Sequence, residues 1–281
     1  MNYINQTYDE ERALYGVKNA LIENCCFDGP ADGESALKEA SDFEVKNCYM
    51  NLRYPFWHVS NAKISSTKMT ENCRAALWYD KGVEINNCVL DGIKAIRECQ
   101  DIVLKNSSVN SPEFIWKCSN LTIENVNIQG SEYPFFEVKG AKITNLTMKG
   151  KYSFQYDEDI EISNSNLDTK DAFWHTKNVT VRDSVIKGEY LGWYSENLTL
   201  INCKIIGTQP FCYCKNLILE NCIMENCDLA FERSSVNAII TGKIDSVKNP
   251  ISGKITAQEI GEIIIEENIV DKSKTQIIVG K

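Results

Sequence analysis

The sequence has no run of basic residues: 30 Lys and Arg stand against 39 Asp and Glu in 281 residues, a formal net charge of −9. A nucleic-acid partner needs a positive footprint and is therefore not expected. No apolar stretch reaches the roughly 20 residues that cross a bilayer, so no membrane partner is expected either. The opening MNYINQTYDEER lacks the charged-then-apolar order of a secretory signal. A cytoplasmic, bacterial protein is the expectation. Histidine is scarce, with two in the chain, and no Cys/His set has a zinc spacing. Neither a metal nor another cofactor is expected. A helical period is missing as well, which excludes a helix-rich fold.

What the chain does have is one phrase said many times. SNLTIENVNI at 119–128 is followed by KGAKITNLTM, EDIEISNSNL, KNVTVRDSVI, ENLTLINCKI and KNLILENCIM. The central aliphatic marks each copy: Ile22, Val45, Ile64, Ile85, Leu104, Ile123, Ile143, Ile162, Val181, Leu200, Leu219 and, in a worn copy, Ile239. Spacing of about 20 residues signals a solenoid. Around each marker apolar and polar residues alternate, the period of a half-buried strand. Three residues before the marker stands Asn, Asp or Gly, for example Asn61, Gly82 and Asp101, the residues that tolerate a left-handed corner. Two residues after it stands a second polar column, usually Asn, as at Asn87, Asn106 and Asn125. Stacked amides bond from rung to rung. The fold expected is all-β: a right-handed parallel β-helix of about 12 rungs in one domain over 1–281. Residues 1–17 are expected as an N-terminal cap, 18–253 as rungs and 254–281 as closing strands or a C-terminal cap. The loop DGPADGESALKEA is expected to project furthest. A leucine-rich repeat is the alternative, though it would place its Asn differently and add helices.

The 12 cysteines also fall into columns. Cys25, Cys48, Cys88, Cys203 and Cys222 follow the Asn corner; Cys99, Cys118 and Cys214 precede the next one. In a reducing compartment they read as packing residues at inward corners.

The third side of each rung carries the functional candidates. Eight residues before the marker lies an apolar column, including Phe56, Leu77, Ile96 and Phe154, that must face inward. The next position holds Trp57, Trp78, Arg97, Trp116, Phe136, Gln155, Trp174 and Trp193, so all five tryptophans share it. The position after holds His58, Tyr79, Glu98, Lys117, Glu137, Tyr156, His175, Tyr194 and Tyr213, which includes both histidines. Charged members exclude the bore, so alternation puts the tryptophans outside. Flat rings beside planar hydrogen bonders suit an oligosaccharide or a uronate-containing glycan. The same strip could dock a partner protein or a second copy of the chain, and a ladder of indoles inside the bore is the competing placement. Glu98 and Glu137, two rungs apart, approximate the carboxyl separation of an inverting glycosidase at about 9–10 Å. Lys117 between them opposes that reading by favouring two ionised carboxylates. Whether the chain is an enzyme stays open at this point.

The strings ERALYG, GESALKE, YPFWH, RAALWYD, KDAFWH, GEYLGWYS, GTQPFCYC and SVKNP resemble a bacterial domain-of-unknown-function family of the pectate-lyase-like superfamily. The resemblance spans nearly the whole chain. It implies a right-handed parallel β-helix and supplies no activity. The NTD, DD, GHG and RIK strings of that superfamily's polygalacturonases are absent, as is the WxDH string of its pectate lyases. No catalytic residue is carried over, and fold by itself gives no function.

Overall fold

The structure, a computed structural model, describes residues 1–280. It divides into two compact units, Met1–Thr147 and Met148–Lys281. Each is a parallel β-solenoid, and the chain makes about 15 turns in all. No α-helix occurs among the described residues; a three-residue 3-10 turn, Lys272–Lys274, is the only helical element there.

In the first unit the main sheet runs through Asn2–Ile4, Lys18–Glu23, Ser41–Lys46, Ser60–Ser65, Lys81–Asn86, Gln100–Lys105, Ser119–Glu124 and Lys139–Thr144. Successive strands pair in parallel with like positions opposed, as Ile64↔Ile85↔Leu104↔Ile123 show. The second face is made of shorter strands such as Tyr49–Met50, Lys68–Met69 and Val89–Leu90. The third face has two-residue strands, Phe56–Trp57, Leu77–Trp78 and Ile96–Arg97, followed by single bridges. In the second unit the main sheet runs Glu158–Ser163, Lys177–Arg182, Glu196–Ile201 and Leu217–Glu225, then widens into Ser235–Lys248 and Ser252–Ile264. Its third face turns without forming strands.

The corners follow from the polar columns. Asn87, Asn106 and Asn125 all sit near φ +50°. There the short amide side chain bonds locally and the usual L-residue strain is smallest. The amides bond between turns: Asn125 Nδ2 donates to Asn106 Oδ1 at 3.1 Å, and in the second unit Asn221 donates to Asn202 at 2.9 Å.

Each corner also turns one backbone N–H inward, away from the sheet. A buried donor must find an acceptor, and here the side chain one turn on supplies it. Cys48 N donates to Thr67 Oγ1 at 3.3 Å, Cys88 N to Ser107 Oγ at 3.0 Å, and Cys25 N to Cys48 Sγ at 3.4 Å. At the other corner Val59 N donates to Asp80 Oδ1 at 2.9 Å and Cys99 N to Cys118 Sγ at 3.4 Å. In the second unit Cys214 N donates to Ser234 Oγ at 2.8 Å. The thiol and hydroxyl acceptors in turn donate to a carbonyl two residues back, as Cys48 Sγ does to Lys46 O at 3.2 Å. The columns therefore mix Cys with Ser, Thr and Asp because any small polar side chain can close this bond. All 12 cysteines are free, and burial pushes up thiols such as those of Cys48, to about 11, and Cys73, to about 12.

Residues 1–17 carry strands of their own: Asn2–Ile4 pairs with Leu21–Glu23, and Leu14 N bonds Ala36 O at 2.8 Å. Residues 254–280 continue the sheet through Thr275–Val279. Two expectations are corrected. Ile239 is no core marker but is 59% exposed, because the register shifts beside it and Ala238 and Ile240 turn inward instead. The 28–34 loop does not project: Gly33 lies so close to the preceding turn that a Cβ would fall 2.3 Å from the Glu10 carbonyl carbon.

Candidate aromatic ladders on the outer face

The bore is filled by the apolar column. Phe56, Leu77, Ile96, Ile115 and Phe135 are buried in the first unit, and Phe154, Phe173, Phe211 and Phe231 in the second. By alternation the indoles lie outside, and Trp57, Trp78, Trp116, Trp174 and Trp193 are all half-buried. In the first unit Trp57 and Trp78 stack at 5.2 Å with planes 10° apart. The Lys38 ammonium lies 3.8 Å from the Trp57 ring centre, and the Arg97 guanidinium 5.3 Å from that of Trp78. Trp116 stacks on Phe136 at 4.8 Å, with Lys94 Nζ 5.8 Å from its ring centre. In the second unit Trp174 and Trp193 stack at 5.5 Å.

The indole N–H groups are engaged too. Trp78 Nε1 donates to Glu98 Oε2 at 2.9 Å and Trp116 Nε1 to Tyr133 O at 2.8 Å. Trp174 and Trp193 donate to Tyr190 O at 2.6 Å and Gln209 O at 2.8 Å. Trp57 Nε1 is the exception, buried with no hydrogen-bond partner. The indoles thus clamp one turn to the next from outside, with faces on neighbours and, Trp57 apart, edges on carbonyl or carboxylate oxygens. Gln155, expected in the outer strip, is 8% exposed and donates to Asp171 O at 3.2 Å. Its amide is drawn in to satisfy a backbone acceptor.

The outward position belongs to the next column. In the first unit His58 stacks on Tyr79 at 5.1 Å. In the second, Tyr156, His175, Tyr194 and Tyr213 form a continuous stack with spacings of 5.0, 4.9 and 4.8 Å and tilts under 10°. Tyr156 is 51% exposed and Tyr194 45%. All four rings hang from backbone at φ +56° to +60°.

The profile of one protein family matches residues 1–278. The chain belongs to the DUF3737 family, described as proteins of unknown function. No curated protein matches this DUF3737 chain by sequence. Solved structures similar to it include HetL, a pentapeptide repeat protein involved in heterocyst differentiation regulation from the cyanobacterium Nostoc sp. strain PCC 7120, at 14% identity, with 79% of this chain and 92% of that one covered and a TM-score of 0.33. The periplasmic alginate epimerase AlgG is similar at 10% identity, 94% and 74% coverage and a TM-score of 0.30. The A-module of the Azotobacter vinelandii mannuronan C-5 epimerase AlgE4 is similar at 8% identity, 83% and 76% coverage and a TM-score of 0.25. At these scores the likenesses bear on no functional argument.

The carboxylates of the DUF3737 chain's first-unit strip form a ladder of neighbouring charges. Burial raises the Glu98 carboxyl, but bonds from Tyr79 and Trp78 and the Arg97 guanidinium outweigh it and hold Glu98 below the usual range. Lys117 Nζ lies 3.7 Å from Glu137, both half exposed. A general acid needs a retained proton, and Glu98 is tuned the other way. His58 and His175 each stack between or against tyrosines rather than facing a carboxylate. Among the described residues no group of three or more His, Cys, Asp or Glu is placed to hold a metal ion.

Two features escaped the sequence reading. Asp80 shares the Cys99 and Cys118 column, and its carboxylate was the signal for a corner acceptor. The 23-residue step between Ile22 and Val45 was the signal for a walled cleft, in which Glu71 and Arg74 lie.

Proposed function

We propose that the protein is a non-catalytic interaction scaffold whose second-unit stack, Tyr156–His175–Tyr194–Tyr213, docks a partner protein. One observation carries the reading. These four rings form one continuous outward stack at 5.0, 4.9 and 4.8 Å, with Tyr156 51% and Tyr194 45% exposed. The rings also cover one another's faces. A sugar ring stacks on a free aromatic face, and an ordered stack of this kind offers edges and hydroxyls instead. Tyrosine edges with polar tips are enriched at protein interfaces. The same reasoning disfavours carbohydrate processing by Glu98, Lys117 and Glu137, where the carboxylates are held ionised or salt-bridged.

We also place the protein in a reducing compartment such as the cytoplasm. Adjacent-turn thiols, Cys25 above Cys48 and Cys99 above Cys118, act as hydrogen-bonding groups at corners, and Cys48 and Cys118 donate S–H to carbonyls. That role requires them reduced.

The test is site-specific photo-crosslinking in cells from p-benzoylphenylalanine placed at Tyr194. A single dominant protein adduct, either another protein or a second copy of the chain, is expected, and Tyr156→Ala should reduce it severalfold. Absent or diffuse adducts, together with binding on a glycan array, would reverse the assignment in favour of saccharides.

A further inference from the structure

The first unit carries a second feature, independent of the aromatic stacks. A cleft of about 510 Å³ opens beside the 28–34 loop, and Asp28, Arg53, Glu71, Asn72 and Arg74 line it over Leu52 and Ile93. Its volume is in the range of small-molecule sites. The loop forms a fixed wall. Gly33 N bonds Asp9 O at 2.9 Å, Ala31 N bonds Asp9 Oδ2 at 3.2 Å, and Gly29 packs so close that a Cβ would fall 2.5 Å from that of Asp9. In repeat folds an insertion held on one face is where binding tends to concentrate.

The polar groups divide into engaged and open ones. Asn51 Nδ2 donates to Asp28 Oδ1 at 2.8 Å, and Asn51 Oδ1 accepts from Thr70 at 2.5 Å and Asn72 at 3.1 Å. Arg53 is held by Asp32 at 3.4 Å and Glu34 at 3.5 Å. Left open are the second oxygen of Asp28, the Glu71 carboxylate and the Arg74 guanidinium. Glu71 and Arg74 stand three residues apart on one loop and make no ion pair with each other or with any described residue. Burial raises the nearby Asp91 carboxyl, with the Lys68 ammonium opposing the shift and the Glu71 carboxylate adding to it.

We propose that this cleft binds a zwitterion, a free α-amino acid with an apolar side chain. Its ammonium faces Asp28 and Glu71, its carboxylate takes the Arg74 fork, and its side chain lies on Leu52 and Ile93. A simple anion would meet Asp28 and Glu71, and a simple cation would meet Arg74. A neutral polyol would cover charges of both signs without neutralising either, which is costly. Only a ligand carrying both charges satisfies both walls.

The experiment uses the full chain and L-leucine, followed by calorimetry and saturation-transfer NMR. Leucine is expected to bind, and N-acetyl-leucine and leucinamide, each lacking one charge, should bind at least tenfold more weakly. Arg74→Ala and Glu71→Gln should each weaken leucine at least fivefold, while Lys177→Ala, at an exposed position of the other unit, leaves it unchanged. Lack of leucine binding, equal binding of either blocked analogue, or binding of maltose in leucine's place would each overturn the proposal. Since the stack at Tyr194 lies in the other unit, failure here leaves the docking reading standing, and failure there leaves this one.

Discussion

Asp80 should make the protein less stable as pH rises, and Asp80→Asn should abolish that trend. Its side chain is 1% exposed, and burial drives its carboxyl well above the ordinary range, with the Cys99 thiol adding to the effect. Backbone hydrogen bonding at Val59, Trp78 and His58 opposes the shift without cancelling it. Oδ1 accepts from Val59 N at 2.9 Å, while Oδ2 is buried with no partner. A carboxyl raised on folding contributes fully below its unfolded pKa, about 3.9. That contribution is lost as pH climbs toward the folded value, at about 1.4 kcal/mol per pH unit. Above the folded value the loss is complete and the curve flattens. Asn keeps the Oδ1 acceptor for Val59 and carries no charge, so its stability has no such slope. Removing the ionisable group spares the cost of ionising it in the interior, about 1.4 kcal/mol for each pH unit above the unfolded pKa until the folded value is reached. Urea unfolding followed by circular dichroism at a series of pH values between 4 and 9 measures this directly. The expected result is a midpoint for Asp80→Asn that exceeds the wild type at pH 7 and converges with it near pH 4. A variant that is less stable by the same margin at every pH would refute the reasoning, since it would mean that the ionisable oxygen is compensated.

Two further outcomes follow from the corners and the clamps. Of the 12 thiols only Cys26 is half-buried rather than buried, so Ellman's reagent should modify one thiol in the folded protein and 12 in urea. Burial, then Asp28, raise the Cys26 thiol, so its modification should quicken as pH rises through 8 to 10; several thiols reacting at once in the folded protein would contradict the corner geometry. Trp116→Ala should destabilise by about 2–4 kcal/mol through loss of the Phe136 stack and the Tyr133 bond. Trp116→Phe, which keeps the stack, should cost only about 1 kcal/mol in the same urea assay.

Much of this was readable without coordinates. The 19-to-23-residue step and the period-two alternation fix parallel strands in register, because identical rungs bury identical positions. The Asn columns fix the corners, since few residues accept positive φ. The columns of Phe56 and Trp57 fix which ring enters the bore and which leaves it, because charged Arg97 shares the tryptophan position.

What the rings and thiols do was decided only in three dimensions. Trp57 and Trp78 are 21 positions apart in sequence, and nothing local states that their faces meet or that Lys38 caps the pair. Cys99 reads as packing until the N–H of Asp80 is seen pointing at its sulfur, a bond that exists only between turns. Ile239 fits the repeat by eye, yet a shift against Leu219 turns it outward. Glu71 and Arg74 look like ordinary surface charge until the folded 28–34 loop walls them in. Periodicity determines where a side chain stands on its rung. The neighbour one turn away, which a linear reading cannot orient, determines whether its faces, edges and protons are already taken.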